Sequence, residues 1–135
     1  MADLPEVCVG AIALDNDQLL LIRRGRGPAG GRWSVPGGRV EWGETTAEAV
    51  VRELAEETGL EALCDEFLGW VERIGEGYHH LILDFRVTII STDLPTAGDD
   101  AAEAMWVPLA QVASLPLVDG LAEFLHEQGI LPTIA

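Results

Sequence analysis

Apolar residues come in short, well-separated runs along this 135-residue chain. Val7 to Asp15 is almost entirely apolar, and Gln18 to Arg24 contains a second such run. Runs of this length bounded by turn residues read as buried strands. Asp15-Asn16-Asp17 lies between them as a turn cluster, so the two form a hairpin. The glycine-rich stretch Gly25 to Gly31 reads as a loop rather than a linker, because too little chain precedes it to make a domain. A short strand is expected near Arg39 to Trp42.

The spacing then changes. Ala47, Val50, Val51 and Leu54 recur at helical intervals, which predicts a helix over roughly residues 46–58 with one apolar face. Thr45-Thr46-Ala47-Glu48 supplies its start: a threonine hydroxyl can take the first free N–H groups, and Glu48 can reach back to the cap. Gly59 supplies the stop, since glycine enters the left-handed conformation without penalty. Cys64 to Arg73 and Tyr78 to Ile90 follow as two further strands, separated by Gly75-Glu76-Gly77. A polar loop spans Asp93 to Asp100, and Glu103 to Pro108 reads as the last strand. A helical turn near Leu109 to Ala113 comes next. A final helix follows, carrying Leu121, Phe124 and Leu125 on its apolar face, with Asp119 as its expected cap. Strands, one helix, more strands and a terminal helix predict an α/β fold, a mixed sheet covered by helices on both faces. No internal repeat interrupts this order, and residues 1–135 are expected to form a single domain.

Charge narrows the choice of ligands. The formal net charge is −15, which argues against long nucleic acid or an anionic membrane as partner. No run of about 20 apolar residues is present, and the first ten residues lack the basic and apolar blocks of a signal peptide. Cys8 and Cys64 form no CxxC pair and read as buried thiols of a reducing cytoplasm, with a bridge between them as the less favoured alternative. All eight basic residues are arginines, and five of them, Arg23, Arg24, Arg26, Arg32 and Arg39, lie directly before the predicted helix. A guanidinium fork suits bidentate phosphate contacts.

Within the helix, Glu53, Glu56 and Glu57 are spaced i, i+3, i+4, which gathers three carboxylates within about 100° of the surface. Like charges at this spacing repel, and they lie toward the end where the helix dipole already disfavours them. Two readings follow: an acidic solvated face, or a site for a divalent cation, which reverses the local electrostatics. The donors are all oxygens, a set that suits Mg²⁺ or Mn²⁺.

The wider pattern favours the second reading. Gly38, five residues, Glu44, seven residues, Arg52-Glu53-Leu54, one residue, Glu56-Glu57, one residue, Gly59-Leu60 resembles the Nudix box at every fixed position. The lead-in RGRGPAGGRWSVPGGRVEWGE and the tail AGDDAAEAMWVPL are similar to those of small bacterial Nudix hydrolases, so the resemblance covers nearly the whole chain. It implies an α/β/α sandwich. It also implies Mg²⁺ or Mn²⁺ held by Glu53, Glu56 and Glu57 together with a backbone carbonyl of Gly37 or Gly38. Arg52 would orient the carboxylates, and Glu44 would stand behind them. The implied reaction is attack of a metal-activated water on a pyrophosphate link, with Glu56 as first choice of base. A loop acid, Asp99, Asp100 or Glu103, is the other candidate for that role.

The implied substrate is a small nucleotide. ADP-ribose or a nucleotide sugar is the first expectation. A nucleoside triphosphate of the dGTP type and a dinucleoside polyphosphate are the alternatives, and a non-catalytic nucleotide-binding module is a remote one. Arg23, Arg24, Arg32, Trp33 and Tyr78 are the expected substrate contacts, with Trp33 stacking on a base. The other tryptophans, Trp42, Trp70 and Trp106, are expected in the core. A homodimer is compatible with this reading.

Overall fold

The structure, a computed structural model, describes residues 3–27, 29–98 and 100–131. Its elements follow the predicted order: β1 (Glu6–Asp15), β2 (Gln18–Arg24), β3 (Trp33–Ser34), β4 (Gly37–Arg39), α1 (Thr46–Thr58), β5 (Ala62–Gly75), β6 (Tyr78–Ile89), β7 (Ala101–Pro108), α2 (Leu109–Val112) and α3 (Leu121–Glu127). The strands join in the order β3-β2-β1-β6-β5, with β4 also paired to β1 and β7 to β2. Among the paired strands of the described residues, β1 and β6 run parallel, Glu6 beside His80 through Ala13 beside Val87. The other pairs are antiparallel, so the sheet is mixed.

Alternation along β1 and β2 explains why both read as continuous apolar runs. Val9, Ala11, Ala13 and Leu20 pack with Ala49, Val50 and Leu54 of α1. Ile12, Leu19 and Leu21 point the other way, into a core shared with Val112 after β7 and with Leu121, Phe124 and Leu125 of α3. Side chains of a strand alternate between faces, and a strand covered on both sides must be apolar at every position. The result is the expected sandwich of helices on a mixed sheet. Asn16 and Asp17 turn the β1–β2 hairpin with φ of 48° and 59°, as a type I′ turn requires.

Several local expectations shift. The strand expected over Arg39 to Trp42 ends at Arg39, because the chain turns at Glu41 to Glu44, where the Glu44 N–H donates to the Glu41 carbonyl at 3.0 Å. Trp42 and Trp70 are exposed rather than buried. The buried stripe of α1 is Ala49, Val50, Leu54, Glu57 and Thr58; Ala47 is exposed. Asp119 does not cap α3. Gly120 occupies that position with φ 84°, and Asp119 faces Arg32 instead. No described helix is long and apolar enough to cross a membrane.

Candidate functional site

Helix α1 begins and ends where its sequence says. The Glu48 N–H donates to Thr45 Oγ1 at 3.1 Å, and the Thr45 N–H donates to Glu48 Oε1 at 2.9 Å. Gly59, at φ 75°, closes the last turn by donating to the Ala55 carbonyl at 2.8 Å. With both ends fixed, burial of Val50 and Leu54 sets the rotation of the helix. Glu53 and Glu57 are thereby turned toward β4, since residues three and four apart share a face.

Two glycines of β4 meet the carboxylates. The Gly37 N–H donates to Glu57 Oε1 at 2.7 Å. A Cβ at Gly37 would overlap the Val9 carbonyl, and one at Gly38 would overlap the Glu53 carboxylate. Here the glycines serve close approach: a larger residue at Gly38 would displace the Glu53 carboxylate of the helix, and one at Gly37 would push β4 off β1.

Arg52 ties the surroundings together. Its guanidinium donates to both oxygens of Glu44, at 2.6 and 2.9 Å, to Glu53 Oε1 at 2.9 Å, to Glu56 Oε2 at 3.2 Å and to the Arg39 carbonyl at 3.0 Å. This fixed fork holds the Glu44 carboxyl down at about 2. Glu53 and Glu57 behave oppositely. Burial raises both, and it pushes Glu57 up to about 7 despite its bond from Gly37. Glu56 lies in solvent, its side chain 60% exposed. Among the described residues no three carboxylates close around one point, because Arg52 draws Glu53 and Glu56 while Gly37 holds Glu57. The donor set nevertheless fits a hard cation. It consists of oxygens on one helix face, opposite a strand with no Cβ in the way.

Arg52, Glu53, Glu56 and Glu57, with Gly37 and Gly38, line a cleft of about 1020 Å³. Arg24, Arg26 and Arg32 stand on its wall, as do Tyr78 and Asp100. Asp100 is brought there by its loop, whose Thr96 and Gly98 N–H groups donate to the Thr58 and Glu57 carbonyls at the end of α1. Three expected contacts are not in the cleft. Arg23 pairs with Glu103 at 2.9 Å on the neighbouring strand β7, so neither side chain faces the site and Glu103 is not a loop acid. The Trp33 side chain is packed in the α3-side core, and its backbone N–H donates to the Pro116 carbonyl, so the ring does not line the cleft as a platform for a base. Asp99 lies outside the described residues.

The cleft floor holds residues that the sequence reading missed. Glu6, Cys8 and Gly10 of β1 lie beside His80, Ile82 and Asp84 of β6, with Val71 and Arg73 of β5 on the same face. Asp84 is buried, only 4% exposed. Burial pushes it up to about 7, opposed only by the charge of Arg73. The one signal in the sequence was an aspartate inside the apolar run Leu81-Ile82-Leu83-Asp84-Phe85.

The profile of the NUDIX domain matches residues 4–128, and the chain belongs to the Nudix hydrolase family. It is similar to an ADP-ribose pyrophosphatase of Methanocaldococcus jannaschii, 40% identical over 114 residues that make up 82% of this chain and 66% of that protein. It is also similar to the human 8-oxo-dGDP phosphatase NUDT18, 33% identical over 89% of this chain and 37% of that protein. The chain thus spans less than two thirds of the length of both relatives. Among solved structures, a MutT NUDIX hydrolase from Burkholderia pseudomallei superposes with a TM-score of 0.80, 28% identical over 92% of this chain and 98% of that one.

Proposed function

We propose that this protein hydrolyses the phosphoanhydride bond of a nucleoside diphosphate linked to a second group, with a divalent cation bound, and that ADP-ribose or a nucleotide sugar is its substrate. The observation that carries the reading is the approach of Glu57 and Glu53 to Gly37 and Gly38, braced by Arg52 at the edge of a large cleft. The name of the methanogen relative supports the choice of substrate.

Glu53, Glu56 and Glu57 would hold Mg²⁺ or Mn²⁺, with the Gly37 carbonyl completing the set. The bound cation makes its water more acidic and offsets charge on the phosphate oxygens. Arg52 keeps the carboxylates aimed at one region. Glu56, the most exposed of the three, takes the proton of the attacking water. The water oxygen bonds to phosphorus, the bridging P–O bond breaks, and the bridging oxygen leaves on the partner phosphate. The products are a nucleoside monophosphate and a phosphorylated partner. Arg24, Arg26 and Arg32 form a positive rim that admits a polyanion to a protein of net charge −15.

The test is a nucleotide panel assayed with Mg²⁺, with Mn²⁺ and in EDTA. ADP-ribose or a nucleotide sugar should be cleaved only with metal. Full turnover in EDTA overturns the metal reading. A kcat/KM for dGTP or 8-oxo-dGTP higher by about a hundredfold, roughly the discrimination one pocket contact can supply, overturns the substrate reading.

A further inference from the structure

Asp84 sits in a slot one residue wide. Its neighbours across the sheet are Gly10 on β1 and Gly69 on β5, neither of which brings a side chain of its own, and Phe124 and Gln128 reach over Gly69. The fit to Gly10 is close: a Cβ there would overlap Asp84 Oδ1. The residue is more than nine-tenths buried, yet its carboxyl group makes no hydrogen bond or ion pair among the described residues. No fully enclosed side-chain polar atom there lacks a partner, so the free Asp84 oxygens must open on the cleft they line. A buried polar group left unpartnered is costly, and a ligand that bonds to it recovers that cost.

The chemistry of that ligand is constrained. Phosphate is excluded, because its charge has the sign of a carboxylate. Val35, Val71, Ile82 and Leu121 give the same cleft an apolar stretch of wall, with Arg73 further along the floor, and that stretch suits the faces of a flat ring. Gly10 pairs with Gly37 on one side and lies beside Asp84 on the other. Asp84 is therefore two strand spacings, about 10 Å, from the glycine that holds Glu57. A nucleotide with its phosphates at the glutamates would span that gap with its ribose and present the edge of its base.

We propose that Asp84 is a specificity-determining residue of the cleft, accepting a hydrogen bond from the exocyclic amino group of an adenine, guanine or cytosine base. Uracil is disfavoured, because its edge sets two carbonyl oxygens around a single N–H. The inference rests on the reading of the cleft as a nucleotide site.

The experiment compares binding of AMP, GMP, CMP and UMP, in Mg²⁺, to the wild-type protein and to Asp84→Asn and Asp84→Leu, by titration calorimetry. The wild type should bind at least one amino-bearing nucleotide about tenfold or more tighter than UMP, the scale of one directional contact. Asp84→Leu should erase the difference, and Asp84→Asn, which adds an N–H donor, should shift preference toward UMP. Asn keeps the size of Asp, so the test stands even if the Leu variant fails to fold. A wild type without preference, or variants that keep it, overturns the inference alone if nucleoside diphosphates are still hydrolysed. Absence of both nucleotide binding and hydrolysis overturns the proposed function with it.

Discussion

Two buried carboxyl groups line the cleft, Glu57 on the helix side and Asp84 on the sheet floor, and burial pushes each up to about 7. Their bonding differs. Glu57 receives the Gly37 N–H at 2.7 Å and is held in one orientation. Asp84 receives nothing among the described residues. Around Glu57 the protein supplies its own partners, with Arg52 spreading hydrogen bonds over Glu44, Glu53 and Glu56. Around Asp84 it supplies glycines and apolar side chains, and a single cation, Arg73, that acts through its charge without a bond. The first arrangement suits a group that must be in position before substrate arrives, and the second suits a group whose bonds belong to the ligand.

Losing the held carboxylate should have the largest effect. Glu57→Gln is expected to lower kcat by more than about a hundredfold, beyond the usual cost of losing a group that only supports metal ligands. Folding should survive, because the amide can still accept the Gly37 N–H. Steady-state kinetics with saturating Mg²⁺ checks this, and an unchanged kcat would remove Glu57 from the chemistry.

Arg52 and the rim arginines separate positioning from attraction. Arg52→Ala should reduce kcat by about 10–100-fold, the range for residues that orient ligands. Arg24→Ala or Arg32→Ala should raise KM more than it lowers kcat. That KM should climb with salt, since the Debye length is about 10 Å at 0.1 M. Rate measurements at two ionic strengths distinguish the two classes. If the rim variants leave KM and its salt dependence unchanged, the cation alone admits the substrate.

A smaller effect compares the two carboxyls directly. Each has a folded value near 7, above ordinary values of 4.5 for Glu57 and 3.8 for Asp84. A raised carboxyl contributes stability that is full below its ordinary value and lost as pH rises through the folded value. Without metal, the melting temperature should therefore fall between about pH 4 and pH 7. Asp84→Asn and Glu57→Gln should each flatten part of that slope. Added Mg²⁺ should raise the melting temperature of Asp84→Asn but barely that of Glu57→Gln. Thermal melts across this pH window, with and without Mg²⁺, provide the check, and an unaltered slope in Asp84→Asn would show that its carboxyl is already bonded.

The smallest change is expected at Arg23, whose pair with Glu103 lies outside the cleft with both side chains partly exposed. Exposed pairs contribute about 0–1 kcal/mol. Arg23→Ala should leave KM, kcat and stability nearly as they were, while Arg24→Ala, one residue on, should not.

These outcomes track what local sequence can carry. The helix, its capping box and the glutamate spacing were legible because each depends on residues within a few positions of one another. The hairpin turn at Asn16 and Asp17 was legible for the same reason. What failed depended on distant partners. Nothing near Trp33 says that β3 runs beside Leu117 and buries the indole. Nothing near Arg23 announces Glu103, eighty residues on. Asp119 had the composition of a cap, but Gly120 took the position while Asp119 turned to Arg32. Asp84 acquires its meaning only when β6 lies beside β1 and sets Gly10 against it.

That parallel pairing also bears on how the molecule comes to fold. Glu6 and His80 are joined only after most of the chain has been made. Contacts so distant in sequence close slowly, because a long loop must lose its freedom before the strands reward it. Helix α1, with its local caps, can form early, whereas the floor carrying Asp84 cannot. A nascent or truncated chain ending before β6 would carry the acidic helix without the surface that faces the base, leaving Val9 and Ala11 on an open strand edge prone to pairing with other chains.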